Sequence, residues 1–190
     1  TYLMLMLLVE RGQVSLSDPV QKYLPEFQGL DREKVRVRDL LTHTSGLPDM
    51  LPGNVKLRQA NAPLAEFVKG SMTTPLLFEP RTAFSYSSMG TLLAATIVER
   101  VTRMPLVQFE QRELFEPLKM KHSSLGLGER SLADTARVQG DSFAQTEKEL
   151  ERYGANSAYL RKLAHPWGGM HSTVDDLGVF LQLFLNGGVY

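Results

Sequence analysis

Between residues 89 and 102 the side chains of Met89, Leu92, Leu93, Thr96, Ile97 and Val101 recur at helical spacing. A helix of that length has to bury its apolar stripe against other elements. A polar, serine-rich lead-in, Phe84-Ser85-Tyr86-Ser87-Ser88, precedes it. The same period recurs elsewhere. Leu64, Phe67 and Val68 share a face in a helix expected over 63–71. Leu106, Phe109 and Leu114 come after Pro105 in another, which Pro117 closes. Leu177, Phe180, Leu181, Phe184 and Leu185 come after Thr173-Val174-Asp175-Asp176, which reads as a capping box, and Asn186-Gly187-Gly188 ends that helix. Val35-Arg36-Val37-Arg38 alternates as a short strand or extended lead-in. Asp18-Pro19 reads as an N-cap and an N1 proline, with Val20, Tyr23 and Leu24 behind it. Residues 121–140 read as irregular, and 143–152 as a solvated helix. The segment is therefore expected to be mostly α, with little strand.

The chain opens on Thr1 and runs into Leu3-Met4-Leu5-Met6-Leu7-Leu8-Val9, ending at Glu10-Arg11-Gly12. Seven apolar residues fall far short of the ~20 that span a bilayer. With no basic residue before them and no small-residue cleavage site after, they do not form a signal peptide. The run reads as the rear of a buried helix, and the whole as a segment of a longer protein. Its 21 Lys and Arg balance 21 Asp and Glu, so there is no basic excess to favour nucleic acid or an anionic membrane. With no Cys, a disulfide scaffold, a thiolate nucleophile and Cys-ligated zinc are excluded. The eight Met are scattered and read as core filler. No compartment or oligomeric state is assigned.

Several chemistries have no motif to carry them. There is no glycine-rich phosphate loop, no His-Glu-x-x-His and no Gly-x-Ser-x-Gly, and His43, His122, His165 and His171 share no close ligand spacing. Five blocks remain: Leu8-Val9-Glu10-Arg11-Gly12 with Leu16-Ser17-Asp18-Pro19-Val20 and Tyr23-Leu24-Pro25; Val37-Arg38-Asp39-Leu40-Leu41-Thr42-His43-Thr44-Ser45-Gly46-Leu47-Pro48; Phe78-Glu79-Pro80 with Phe84-Ser85-Tyr86-Ser87; Phe115-Glu116-Pro117-Leu118 with Met120; and Gly168-Gly169-Met170 with Ser172-Thr173, Asp176-Leu177 and Leu185-Asn186-Gly187-Gly188. In this order and spacing the chain resembles the serine β-lactamase-like family of class C β-lactamases, D-Ala-D-Ala peptidases and β-lactamase-like esterases, over essentially its whole length.

That resemblance implies an α/β fold, an antiparallel sheet plus a helical domain. Residues 1–190 would be the rear of the catalytic helix and most of the helical subdomain. It implies a serine hydrolase that forms an acyl-enzyme on a small-molecule ester or amide, without metal or organic cofactor. The family's nucleophile lies in Ser-x-x-Lys, with a Thr three residues after the Lys. Thr1-Tyr2-Leu3-Met4-Leu5 matches that Thr and the apolar run behind it. No Ser here has a Lys three positions on, and the late Lys-Thr-Gly or His-x-Gly motif is absent too. The 190-residue chain alone is expected to be inactive. A catalytically dead binding or scaffolding relative is the alternative.

Tyr86 matches the tyrosine of the family's Tyr-x-Asn motif, whose implied role is to take the proton from the serine. A phenol titrates near pH 10, so a phenolate at pH 7 costs about 4 kcal/mol, which neighbouring cations supply. The residues alone also fit a tyrosine at a helix entrance with its ring in the core. Ser88 replaces the motif's Asn. As a substrate-binding group it favours an ester over an amide, because it has one donor and a short reach; as a local feature it fits an N-cap. Trp167 fits the lining of an acyl pocket or a core position. His43 reads as part of a single helical turn that satisfies backbone groups. Asp175 and Asp176 read as caps. Arg81 and Arg103 stand where the family commonly has Gly, at a cost of about 1–2 kcal/mol each if φ is positive.

Overall fold

The computed structural model describes residues 1–189, and they divide near Leu106 into two compact units. The first unit is helical. α1 (Tyr2–Glu10) is rich in Leu and Met, which lose little side-chain freedom in a helix, and it buries Met4, Leu5 and Leu8. α2 (Val37–Leu41), α3 (Asn54–Gln59), α4 (Leu64–Thr73) and α5 (Ser88–Thr102) come next. α5 is the centre: α1, α2 and α4 pack on it, and α3 packs on α4. Every residue of α5 from Ser88 to Val98 is buried, as expected of a helix surrounded by others. Gly90 permits the close approach of α2, since a Cβ there would stand 3.1 Å from the Leu40 carbonyl oxygen.

Two local expectations are corrected here. Of the two readings of Val35-Arg36-Val37-Arg38, the extended lead-in holds for Val35 and Arg36 and the strand does not, since Val37 and Arg38 are already helical. Arg36 makes one isolated bridge to Pro19, and α2 begins at Val37 because the Asp39 carboxylate accepts the Arg36 N–H at 2.8 Å. Asp18 caps no helix. Its carboxylate takes the Lys22 ammonium at 2.8 Å and the Tyr23 hydroxyl at 2.5 Å, and Pro19 itself stands at the N-cap of a 3₁₀ turn, Val20–Lys22.

Arg81 and Arg103 both lie in the left-handed region, at φ +72° and +56°, but only one is compensated. The Arg81 guanidinium reaches the Asp39 carboxylate at 2.6 Å and the Lys34 carbonyl at 3.1 Å, and Asp39 is 1 % exposed. Arg103 ends α5 with an exposed side chain. Arg103→Gly is therefore expected to stabilise the fold by about 0.5–1 kcal/mol, the relieved strain less the added unfolded-state entropy. Arg81→Gly is expected to destabilise it by about 1–3 kcal/mol, because Asp39 stays buried without its cation. Opposite shifts in thermal midpoint test both; shifts of the same sign would refute the distinction.

In the second unit α6 (Leu106–Glu110) runs into a π-helical turn, Gln111–Phe115. Then come β1 (Ser124–Leu125), α7 (Glu147–Arg152), α8 (Ala158–Lys162), β2 (Met170–His171) and α9 (Val174–Leu185). β1 and β2 pair antiparallel, Ser124 opposite His171 and Leu125 opposite Met170, so the stretch read as irregular contains a strand. The solvated helix starts only at Glu147, where Thr146 and Glu149 form a capping box. Phe115, Leu118 and Met120 form a buried cluster against which Val179, Phe180 and Leu183 of α9 pack.

The other face of α9 is open: Val174, Leu181 and Leu185 are 84, 62 and 80 % exposed. Exposed apolar area of this kind promotes association. The 190-residue chain by itself is expected to bind a hydrophobic dye and self-associate, and Leu181→Lys with Leu185→Lys should reduce both. A sharp cooperative melt of a dye-silent monomer would refute this.

Candidate active site

The N-terminus of α5 is fastened to the segment after α2 by a run of backbone and side-chain bonds. Ser87 is the N-cap: its hydroxyl accepts the Gly90 N–H at 2.9 Å and donates to the Pro48 carbonyl at 3.0 Å. Capping by Ser88 is thereby corrected. Ser88 is the first helical residue and is buried, and its N–H and hydroxyl both donate to Asp49 Oδ1, at 2.9 and 2.6 Å. The Met89 N–H reaches the Asp49 carbonyl at 3.2 Å. One residue back, the Ser87 N–H donates to His43 Nδ1 at 3.1 Å, and the Ser85 N–H donates to the His43 carbonyl at 3.0 Å.

Tyr86 stands between these bonds. It is 56 % exposed, and its ring lies on the His43 imidazole, with centroids 4.6 Å apart and planes at 37°. Phe84 meets His43 edge-on at 5.9 Å, and Tyr2 is 6.3 Å away. Tyr2 is an anchor. Its hydroxyl is 3.3 Å from the Leu40 carbonyl and 3.1 Å from Thr91 Oγ1, and burial pushes its phenol above the ordinary range. Among the described residues the Tyr86 hydroxyl has no hydrogen-bond partner. The reading of Tyr86 as a ring held in the core does not describe this half-exposed position.

Of the three residues singled out from the sequence, Tyr86 and Ser88 both lie at the entrance of α5, the first half-exposed on His43 and the second buried on Asp49. Trp167 belongs to the second unit, where its ring lies 4.8 Å from that of His165 at 56°. Asp176 of that unit does not complete a capping box. Thr173 Oγ1 accepts the Asp176 N–H at 3.3 Å, but the Asp176 carboxylate takes the His122 N–H at 2.7 Å and the Ser123 hydroxyl at 2.8 Å. Burial, aided by Arg161, holds the His171 imidazole below its usual range. Asp49 and Ser87 were not legible as site residues. Only the serine pair before an apolar helix pointed to a cap, and nothing local to Leu47-Pro48-Asp49 announces a partner 39 residues away.

A family model described as Beta-lactamase matches residues 1–190. The chain is 27 % identical over 209 residues to an N-acetylmuramyl-L-alanine amidase of Bacillus subtilis (strain 168), covering 96 % of this chain and 46 % of that protein. It superposes on the D-amino acid amidase of Ochrobactrum anthropi SV3 with TM-score 0.76 and 27 % identity, covering 98 % of this chain and 53 % of that one. A penicillin-binding protein homologue from Caulobacter crescentus gives TM-score 0.78 at 19 % identity, over 98 % of this chain and 53 % of that one, a likeness of fold alone. The chain spans about half the length of the relatives it matches.

Proposed function

Because the chain belongs to the beta-lactamase family, we propose that it is the rear of the catalytic helix and most of the helical part of a serine hydrolase cleaving small amides or esters through an acyl-enzyme. The observation that carries this is Tyr86: a half-exposed phenol whose backbone is held on both sides at the entrance of the buried α5. In the family the nucleophile is the serine of Ser-x-x-Lys, a motif this sequence does not contain. Tyr86, held as the phenolate by neighbouring cations of the full-length enzyme, takes the proton from that hydroxyl as its oxygen attacks the carbonyl. It then returns the proton to the leaving nitrogen or oxygen, and water resolves the ester.

Ser88 contributes through its pairing with Asp49. Its hydroxyl proton is directed at that carboxylate and the residue is buried, so its part in the site is to fix the start of α5 behind Tyr86. The amidase names of the two relatives at 27 % identity favour amides and moderate the preference for esters that Ser88 suggests. Trp167 remains the candidate lining of the acyl pocket, and Trp167→Ala is expected to raise KM more than it lowers kcat. The dead-relative alternative draws on the two departures from the family pattern, Ser88 and Arg81; Arg81 is accounted for by its ion pair with Asp39, which leaves Ser88.

The decisive experiment treats the full-length protein with a serine-reactive phosphonate and then assays amides, esters and a penicillin. Stoichiometric labelling of one serine, with amide or ester turnover, supports the reading. No labelling and no turnover would leave a binding protein.

A further inference from the structure

We propose that His43 is the positioning residue for Tyr86: a neutral imidazole that fixes the backbone and the ring of the phenol at once. This rests on the reading of Tyr86 as the proton acceptor. The sequence assigns His43 only the satisfaction of backbone groups, and it does satisfy them, at a telling place. Its carbonyl accepts the N–H of Ser85 at 3.0 Å and its Nδ1 accepts the N–H of Ser87 at 3.1 Å. The two bonds flank Tyr86 on either side. A backbone N–H can only donate, so Nδ1 carries the lone pair and the ring proton sits on Nε2. The imidazole then supports the phenol ring at 4.6 Å, with Phe84 edge-on to it at 5.9 Å.

His43 adopts φ +57° to do this. A non-glycine residue persists in that region where its surroundings over-determine it, and such positions cluster at functional sites. The neighbouring bonds repeat the device: Asp49 Oδ1 accepts the next N–H, that of Ser88. The consecutive amides of Ser87 and Ser88 are thus both held by side chains of the segment after α2. The Tyr86 ring is otherwise half in solvent, so His43 is what orients it. Proton transfer needs its hydroxyl within hydrogen-bond reach of the reacting oxygen, and a misplacement of about 1 Å can cost on the order of 10²-fold.

The test uses the full-length hydrolase, with single-turnover acylation by a chromogenic substrate, KM and thermal midpoint measured for each variant. His43→Phe keeps a ring and loses the acceptor. His43→Asn keeps an acceptor, tolerates the left-handed backbone and loses the ring. Tyr86→Phe is the reference. His43→Phe is expected to slow acylation about 10–100-fold with KM within about 2-fold, and His43→Asn to recover most of that rate. The proposal is overturned if both His43 variants acylate at the wild-type rate while Tyr86→Phe does not. It is equally overturned if the two variants lose rate only in step with their loss of folded protein. If Tyr86→Phe itself acylates normally, the functional reading beneath it fails first.

Discussion

Tyr86→Phe in the full-length hydrolase is expected to lower kcat/KM by about 10²–10⁴, the usual worth of a positioned acid–base group. The substitution removes one oxygen and keeps the ring that packs on His43. Because that ring is half-exposed and its hydroxyl bonds to nothing among the described residues, the thermal midpoint should hardly change; surface changes of this kind stay within about 0.5 kcal/mol. Loss of rate without loss of stability separates chemistry from packing. A variant keeping a third or more of the wild-type kcat/KM would sink the assignment of Tyr86 as base. A variant losing rate and stability together would mean that the phenol serves the fold.

The distances over which groups pair explain which features were legible in the sequence. The period of Met89 to Val101 announced α5 almost to the residue, and the Thr173 cap announced the start of α9, because both signals lie within the element they describe. The misreadings are carboxylates with other partners. Asp39 makes Val35-Arg36 the extended lead-in to a helix and not the strand that the alternation also allowed, and it is held by Arg81, 42 residues on. Asp176 leaves its box for Ser123, 53 residues back. Asp18 takes Tyr23 and Lys22 where a cap would take a helix N–H. The site obeys the same rule. Tyr86 and Ser88 were found through resemblance, since the residues alone allowed bland readings of both. Asp49, which fixes Ser88, left no local trace. The strain at Arg81 and Arg103 was anticipated as a condition, but only the structure shows that both meet it and that one is offset by an ion pair.

Gly46→Ala should destabilise the protein more than any of the other substitutions. Gly46 has φ +83°, and a Cβ on it would stand 2.3 Å from the Phe78 carbonyl oxygen and 3.4 Å from its carbon. The obstacle is backbone, so no rotamer change relieves it. Three costs combine: about 1–2 kcal/mol for a Cβ in the left-handed region, about 1–3 kcal/mol for overpacking, and about 1 kcal/mol for the strained Leu77 N–H to Gly46 carbonyl bond, now 2.7 Å. They are not strictly additive, and a loss of roughly 3–5 kcal/mol is expected. Activity should fall as well, because Gly46 lies between His43 and Asp49, the two acceptors that hold the Ser87 and Ser88 amides. Forcing residues 43–49 away from 77–78 would move the acceptors with them, and Tyr86 after that. The measurement is a denaturant midpoint alongside acylation rate per folded molecule. A midpoint shift under about 1 kcal/mol would show that the segment yields without cost. A full midpoint loss with the rate per folded molecule intact would show that the loop braces the fold but not the tyrosine.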